Sequence, residues 1–196
     1  MTQGIRKLLI ANRGEIAVRI IRAAHALGIP TVAACSEADR DSLAARMADE
    51  VHVLGQARAD KSYLNIKALI GALKVTGADA VHPGYGFLSE NADFAEAVVA
   101  AGAIFVGPSP DTIRRMGDKA EARRTAQAAG VPVVPGSPGE LIDVDSALNV
   151  AESVGFPLLI KASAGGGGRG IRLAQNAPQL RDEFPRAQRE AQAAFG

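Results

Sequence analysis

Residues 7–35 read KLLIANRGEIAVRIIRAAHALGIPTVAAC. The stretch opens on a short apolar run, Lys7 to Ala11, and closes on another, Thr31 to Cys35. Between them, Glu15 to Leu27 carries Ile16, Ile20, Ala24 and Leu27 at helical spacing, with Glu15, Arg19 and Arg22 on another face. Gly28 supplies the stop. Strand, helix and strand in so little chain predict the repeating unit of a parallel sheet with helices on its faces. The rhythm continues. Strands are expected at Val51 to Leu54, Asp79 to His82 and Ala103 to Val106. Helices are expected at Asn65 to Thr76, closed by Gly77, and at Glu90 to Ala101, with Ser89 as N-cap and Gly102 as stop. The fold class predicted is α/β and doubly wound.

Beyond Val106 the texture changes, because Gly107, Pro108 and Pro110 interrupt the pattern. Asp118 to Ala129 reads as an alanine-rich helix ended by Gly130, and Val131 to Pro138 is Pro-rich and extended. A helix around Ser146 to Val154 precedes an apolar strand at Pro157 to Ala162. Glycines at 165–168 and 170, broken only by Arg169, join that strand to a second one, Ile171 to Ala174, as a hairpin with an oversized tip. From Pro178 to Phe195 helical residues dominate, and Pro185 is expected to start a new helix or kink an old one. The expected division is a first domain at 1–115, a connecting helix at 116–130 and a second domain at 131–196.

Hydrophobic residues make up 47% of the 196 and charged residues 22%, the balance of a chain that folds around a core. The net charge of +1 sets up no field that would draw nucleic acid or an anionic membrane surface, so any anion must be held locally. No apolar run reaches the roughly 18 residues of a membrane helix. No membrane partner is expected, and a cytoplasmic location is the default. Cys35 is the only cysteine, so no internal disulfide is possible, and its apolar surroundings predict a buried thiol.

The chemistry is concentrated in Leu159-Ile160-Lys161-Ala162-Ser163-Ala164-Gly165-Gly166-Gly167-Gly168-Arg169-Gly170. Consecutive glycines leave backbone N–H groups unshielded and able to curl round phosphate oxygens. In a P-loop the lysine follows the glycines and opens a helix; here Lys161 precedes them, on a strand. A dinucleotide fingerprint fails too, since a strand and not a helix follows. Two readings stay open: a hairpin lid over a triphosphate with Lys161 beneath it, or a plain flexible connection.

Four segments resemble the biotin carboxylase family in sequence, order and spacing: Ile10 to Ala17, His82 to Asn91 (HPGYGFLSEN), Met116 to Lys119, and Ile160 to Ser163 with its glycine tract. The similarity runs from Lys7 to Phe195. It implies a Rossmann-like N-terminal domain followed by the ATP-grasp lid, incomplete here, with a C-terminal ATP-grasp domain beyond this chain. A different ATP-grasp ligase would share a lysine and a glycine lid but not HPGYGFLSEN.

The activity implied is ATP- and bicarbonate-dependent carboxylation of biotin on a carrier protein, the first half-reaction of acetyl-CoA, propionyl-CoA and related carboxylases. Lys119, Lys161 and Gly165, Gly166, Gly167 and Gly168 match the family's ATP contacts. Tyr85 and Gly86 match a turn near biotin and bicarbonate; as an alternative, Tyr85 packs across the domain boundary. His82 is expected to end a strand and not to act as a base. Arg19 and Arg22 resemble positions of the family's dimer helix and equally fit a solvated face. The implied partners are a biotin carboxyl carrier protein, a carboxyltransferase subunit and a second copy in a homodimer. The family's Mg²⁺ carboxylates and catalytic base belong to its C-terminal domain, so this chain alone is expected not to turn over. The other reading is a non-catalytic fragment that folds, dimerises or docks onto subunits.

Overall fold

The computed structural model describes residues 4–161 and 171–195. In the first unit, 1–117, the elements run β1 (Leu8–Ile10), α1 (Gly14–Ala26), β2 (Thr31–Ser36), α2 (Leu43–Met47), β3 (Glu50–Gly55), α3 (Ile66–Thr76), β4 (Ala80–His82), α4 (Ala92–Ala100), β5 (Ile104–Phe105) and α5 (Pro110–Gly117). The strands form one parallel sheet in the order β3-β2-β1-β4-β5. Alternation along β1 sends Leu8 and Ile10 to one face, against Ala17, Ile20 and Ile21 of α1 and Ala44 of α2. Leu9 faces the other side, with Leu69 and Leu73 of α3, Phe94 and Val98 of α4, and Ile113 of α5. Both faces are covered, so the central strands read as continuous apolar runs. The α/β class is therefore as expected.

Two helices escape the sequence pattern. The five-residue α2 is too short to show a period, and α5 begins at Pro110, where a proline ring fits the first turn because its missing N–H would go unbonded anyway. The prolines read as interruptions thus open a helix, with Ser109 Oγ accepting from Thr112 N at 3.2 Å. Ser89 is not the cap of α4. The main chain first turns, Ser89 N donating to Gly86 O at 2.9 Å, and Asn91 becomes the cap, its side chain accepting from Phe94 N at 2.8 Å. Cys35 is buried, and burial pushes its thiol pKa up.

The second unit, 118–196, contains α6 (Lys119–Ala128), α7 (Val144–Val154), β6 (Leu158–Ile160), β7 (Arg172–Ala174) and α8 (Ala177–Phe195). Asp118 caps α6 through Glu121 N, and Asp143 caps α7 through Ser146 N. β6 and β7 pair antiparallel, Leu158 with Ala174 and Ile160 with Arg172, as a hairpin should. Its tip lies outside the described residues. The hairpin's inner face, Leu158, Ile160 and Ala174, packs on Ala147, Ala151, Leu180 and Phe184 of the two helices. Pro185 neither starts a helix nor ends one: α8 runs through it, losing one backbone hydrogen bond. No described helix is long and apolar enough to cross a membrane.

Candidate functional site

The chain leaves β1 toward β2 and β3 on one side, whereas β4 and β5 lie on the other. The order therefore reverses between β1 and β4, and ligands of open α/β sheets lie outside the strand carboxyl ends at such a point. An open cleft of about 410 Å³ lies there, lined by residues 12–16 and 85–87. Its two walls come from distant sequence and are joined by Asn12. The buried Asn12 amide nitrogen donates to Pro83 O at 2.7 Å and to Tyr85 O at 2.8 Å, while its oxygen accepts from Arg13 N at 2.8 Å. Gly84 has to be glycine: its φ is +66°, and a Cβ there would stand 2.7 Å from the Asn12 amide nitrogen.

Arg13 lies over two rings, 5.6 Å from the centroid of Tyr63 and 5.5 Å from that of Phe87. The rings stack on each other at 4.9 Å. Such contacts give an arginine a favoured resting place against the π faces. Phe87 is held in the left-handed region, φ +42°, uncommon for a bulky side chain, and the stack with Tyr63 stabilises that backbone. Asp39 completes the group, 3.6 Å from the Arg13 guanidinium and accepting from Ser36 Oγ and the Tyr63 hydroxyl, each at 2.7 Å. Burial alone would raise the Asp39 carboxyl, but the Ser36 and Tyr63 hydrogen bonds with the Arg13 charge outweigh it and leave the pKa lowered.

Of the residues expected from sequence, Tyr85 and Gly86 line this cleft. The Tyr85 ring is 61% exposed, its hydroxyl donating to Glu15, which raises the phenol pKa. His82 closes β4. Its Nδ1 accepts from Gly84 N at 3.0 Å, and burial lowers its pKa, so the ring is a neutral turn-former. Asn12, Arg13, Asp39 and Phe87 were not singled out by sequence. The signal for three of them was their place inside the segments Ile10 to Ala17 and His82 to Asn91; Asp39 had none.

The lysines belong to the second unit. Lys119 opens α6 directly after its cap, and Lys161 follows β6, both exposed. Gly165 to Gly168 lie outside the described residues. The hairpin's outer face is unexpectedly apolar: Leu159, Ile171 and Leu173 are exposed, on the opposite side from Ile160 and Ala174. Period-two alternation puts Lys161 beside Leu159 on that face. Among the described residues no group of three or more His, Cys, Asp or Glu side chains could hold a metal ion.

Comparison with known proteins bears on both units. The family described as biotin carboxylase, N-terminal domain, matches residues 4–113, and that described as carbamoyl-phosphate synthase L chain, ATP binding domain, matches 118–196. The chain is 54% identical over 192 residues to biotin carboxylase 1 of Bacillus subtilis, covering 98% of this chain and 43% of the relative. A biotin carboxylase from Campylobacter jejuni, solved as a complex with a nucleotide named as beta-gamma-ATP, is 45% identical with a TM-score of 0.86 over 98% of this chain and 43% of that one. The biotin carboxylase domain dimer of the Hydrogenobacter thermophilus 2-oxoglutarate carboxylase, solved with MgADP, ADP and bicarbonate, is 47% identical with a TM-score of 0.83, again covering 99% of this chain and 43% of that one. The chain thus spans less than half the length of these relatives.

Proposed function

This chain belongs to the biotin carboxylase family, and from that premise we propose that it forms the N-terminal part of an enzyme that carboxylates carrier-linked biotin with ATP and bicarbonate. In this reading residues 1–115 are the Rossmann-like domain, 116–130 a connecting helix and 131–196 the ATP-grasp lid. Lys119, Lys161 and Gly165 to Gly168 hold the phosphates. The observation that carries the reading is the hairpin's outer face, where a lysine lies beside three exposed aliphatic side chains, Leu159, Ile171 and Leu173. An aliphatic floor suits a purine ring, and a neighbouring ammonium suits its phosphate tail.

Moving the γ-phosphoryl group to bicarbonate builds charge on the transferred oxygens. Fixed ammonium groups and backbone N–H donors stabilise that charge most where water is excluded, which a closing lid provides. Tyr85 and Gly86 border the pocket for biotin or bicarbonate, supported by the reversal of strand order at that cleft. One relative is solved with MgADP, but the described residues offer no carboxylate cluster for Mg²⁺, and no step here is assigned to the ion. A carrier protein, a carboxyltransferase, a second copy in a dimer and a cytoplasmic location belong to the same reading.

The test is bicarbonate-dependent ATP hydrolysis with free biotin, measured on this chain and on a chimera in which it replaces the matching segment of the Bacillus subtilis relative. Turnover is expected in the chimera alone. Lys161→Met in the chimera should raise KM for ATP about tenfold or more, the loss of a charge-assisted contact. An inactive but folded chimera would favour the non-catalytic reading, and hydrolysis by the short chain would show that it needs no further domain.

A further inference from the structure

Arg172 stands on β7 directly opposite Ile160, the residue before Lys161. Its neighbours Ile171 and Leu173 face outward, while Arg172 points inward with Ala174, toward the helices. One terminal nitrogen of its guanidinium donates to Glu183 and the other to Glu190, both on α8. Seven residues of helix separate these carboxylates, about 10 Å along the axis. Pro185 falls between them, in the interior of α8, where its missing N–H leaves one helical hydrogen bond unmade. A single arginine therefore bridges both sides of the proline and ties them to the hairpin. Arg186 adds a second hold on Glu183, at 2.8 Å, and Arg181 links α8 to Asp145 of α7 at 3.2 Å.

The geometry of that bridge is specific. Arg172 Nε is buried with no hydrogen-bond partner among the described residues, so the side chain forgoes one bond to place both terminal nitrogens on carboxylates. Lysine could not reproduce this, being a point charge without the planar fork. The hairpin needs such an anchor, because its strands share three residue pairs and a two-stranded ribbon is marginal alone. Among the described residues its inner face offers Leu158, Ile160 and Ala174 for apolar packing.

We propose that Arg172 is a positioning residue for the nucleotide: clamped between Glu183 and Glu190, it fixes the pose of β7 against α8 and so aims Lys161 and the aliphatic outer face. The inference rests on the assignment of that face to ATP. Without the clamp the strands still pair, but the face wanders, and ground-state binding of nucleotide weakens before chemistry does.

The experiment uses the same chimera. Arg172→Met should raise KM for ATP about tenfold with kcat changed less than about threefold, leaving KM for bicarbonate and for biotin unmoved. Glu183→Gln with Glu190→Gln should reproduce the split, and Arg172→Lys should recover little of it. A folded R172M enzyme with unchanged KM for ATP would overturn the proposal, as would an equal loss across all three substrates, which marks a merely structural role. If Lys161→Met also leaves KM for ATP untouched, the ATP assignment itself has failed. If K161M raises it and R172M does not, only the clamp is wrong.

Discussion

The two units spend their apolar residues differently. In the first, Leu9, Ile10, Ile21, Val32, Leu69, Phe94 and Val98 are shut away from water on the two faces of one sheet. In the second, the buried cluster consists of Ala147, Ala151, Ala174, Leu180 and Phe184, and α6 buries no residue fully. Both units expose large apolar side chains, but those of the first, such as Leu27, Val75 and Val99, lie on or at the end of separate helices, whereas Leu159, Ile171 and Leu173 of the second share one face of a hairpin. A doubly covered parallel sheet carries its own stability, whereas a hairpin backed by two helices keeps one apolar face for something else. The difference separates two kinds of candidate site: a break in strand order in the first unit, a bare apolar surface in the second.

The comparison breaks most visibly in the cores. Phe94→Ala removes a fully buried ring packed edge-on against Phe105, and should destabilise the first unit by about 3–5 kcal/mol, read by denaturant unfolding. Phe184→Ala, in a smaller cluster that Leu180 and three alanines share, should cost about 3 kcal/mol, the low end of the range, and accelerate amide exchange chiefly in α7, α8 and the hairpin. An equal or greater loss for Phe184→Ala would mean that the second core matters as much as the first. Gly84→Ala forces a side chain into a left-handed position against the Asn12 amide, for about 2 kcal/mol and a lower Tm.

A smaller effect tests the opposite end of the sheet. Asp49 accepts from Thr31 N and Oγ1 and pairs with His25, and the Thr31 backbone bond first of all draws its carboxyl down to about 2. Being depressed in the fold, this group lends stability above its ordinary pKa near 4 that is lost as pH falls toward 2. The side chain is half exposed, so solvent screening limits the contribution to about 1 kcal/mol. Asp49→Asn should flatten the acid limb of the stability profile by that amount; an unchanged slope between pH 4 and 2 would assign the acid sensitivity elsewhere. Least of all, Leu173→Ser should shift stability by no more than about 0.5 kcal/mol, as an exposed position does, while weakening nucleotide binding in the chimera. A large loss of stability there would mean that the bare face is part of a core.

Much of this was legible in the sequence for definite reasons. Buried strands flanked by helices leave runs and stops, so all five strands of the sheet fall within a residue or two of their expected places. HPGYGFLSEN falls at the end of β4, and the flanking strands of the glycine tract pair as a hairpin. Illegible were contacts made across long separations. Nothing local says that Asn12 meets residues 83 and 85, that Arg13 rests on Tyr63, or that Arg172 finds Glu183 and Glu190. The outer aliphatic face was hidden for another reason: Leu159 and Leu173 look like core until the pairing register shows which side each occupies.

One amide nitrogen, that of Asn12, is shared by two carbonyls some seventy positions downstream. Segments 10–17 and 82–91 therefore share one hinge pin in the folded chain: because both acceptors are main-chain oxygens, the side-chain joint depends on the Asn12 amide alone, and Asn12→Ala would unfasten both carbonyls at once.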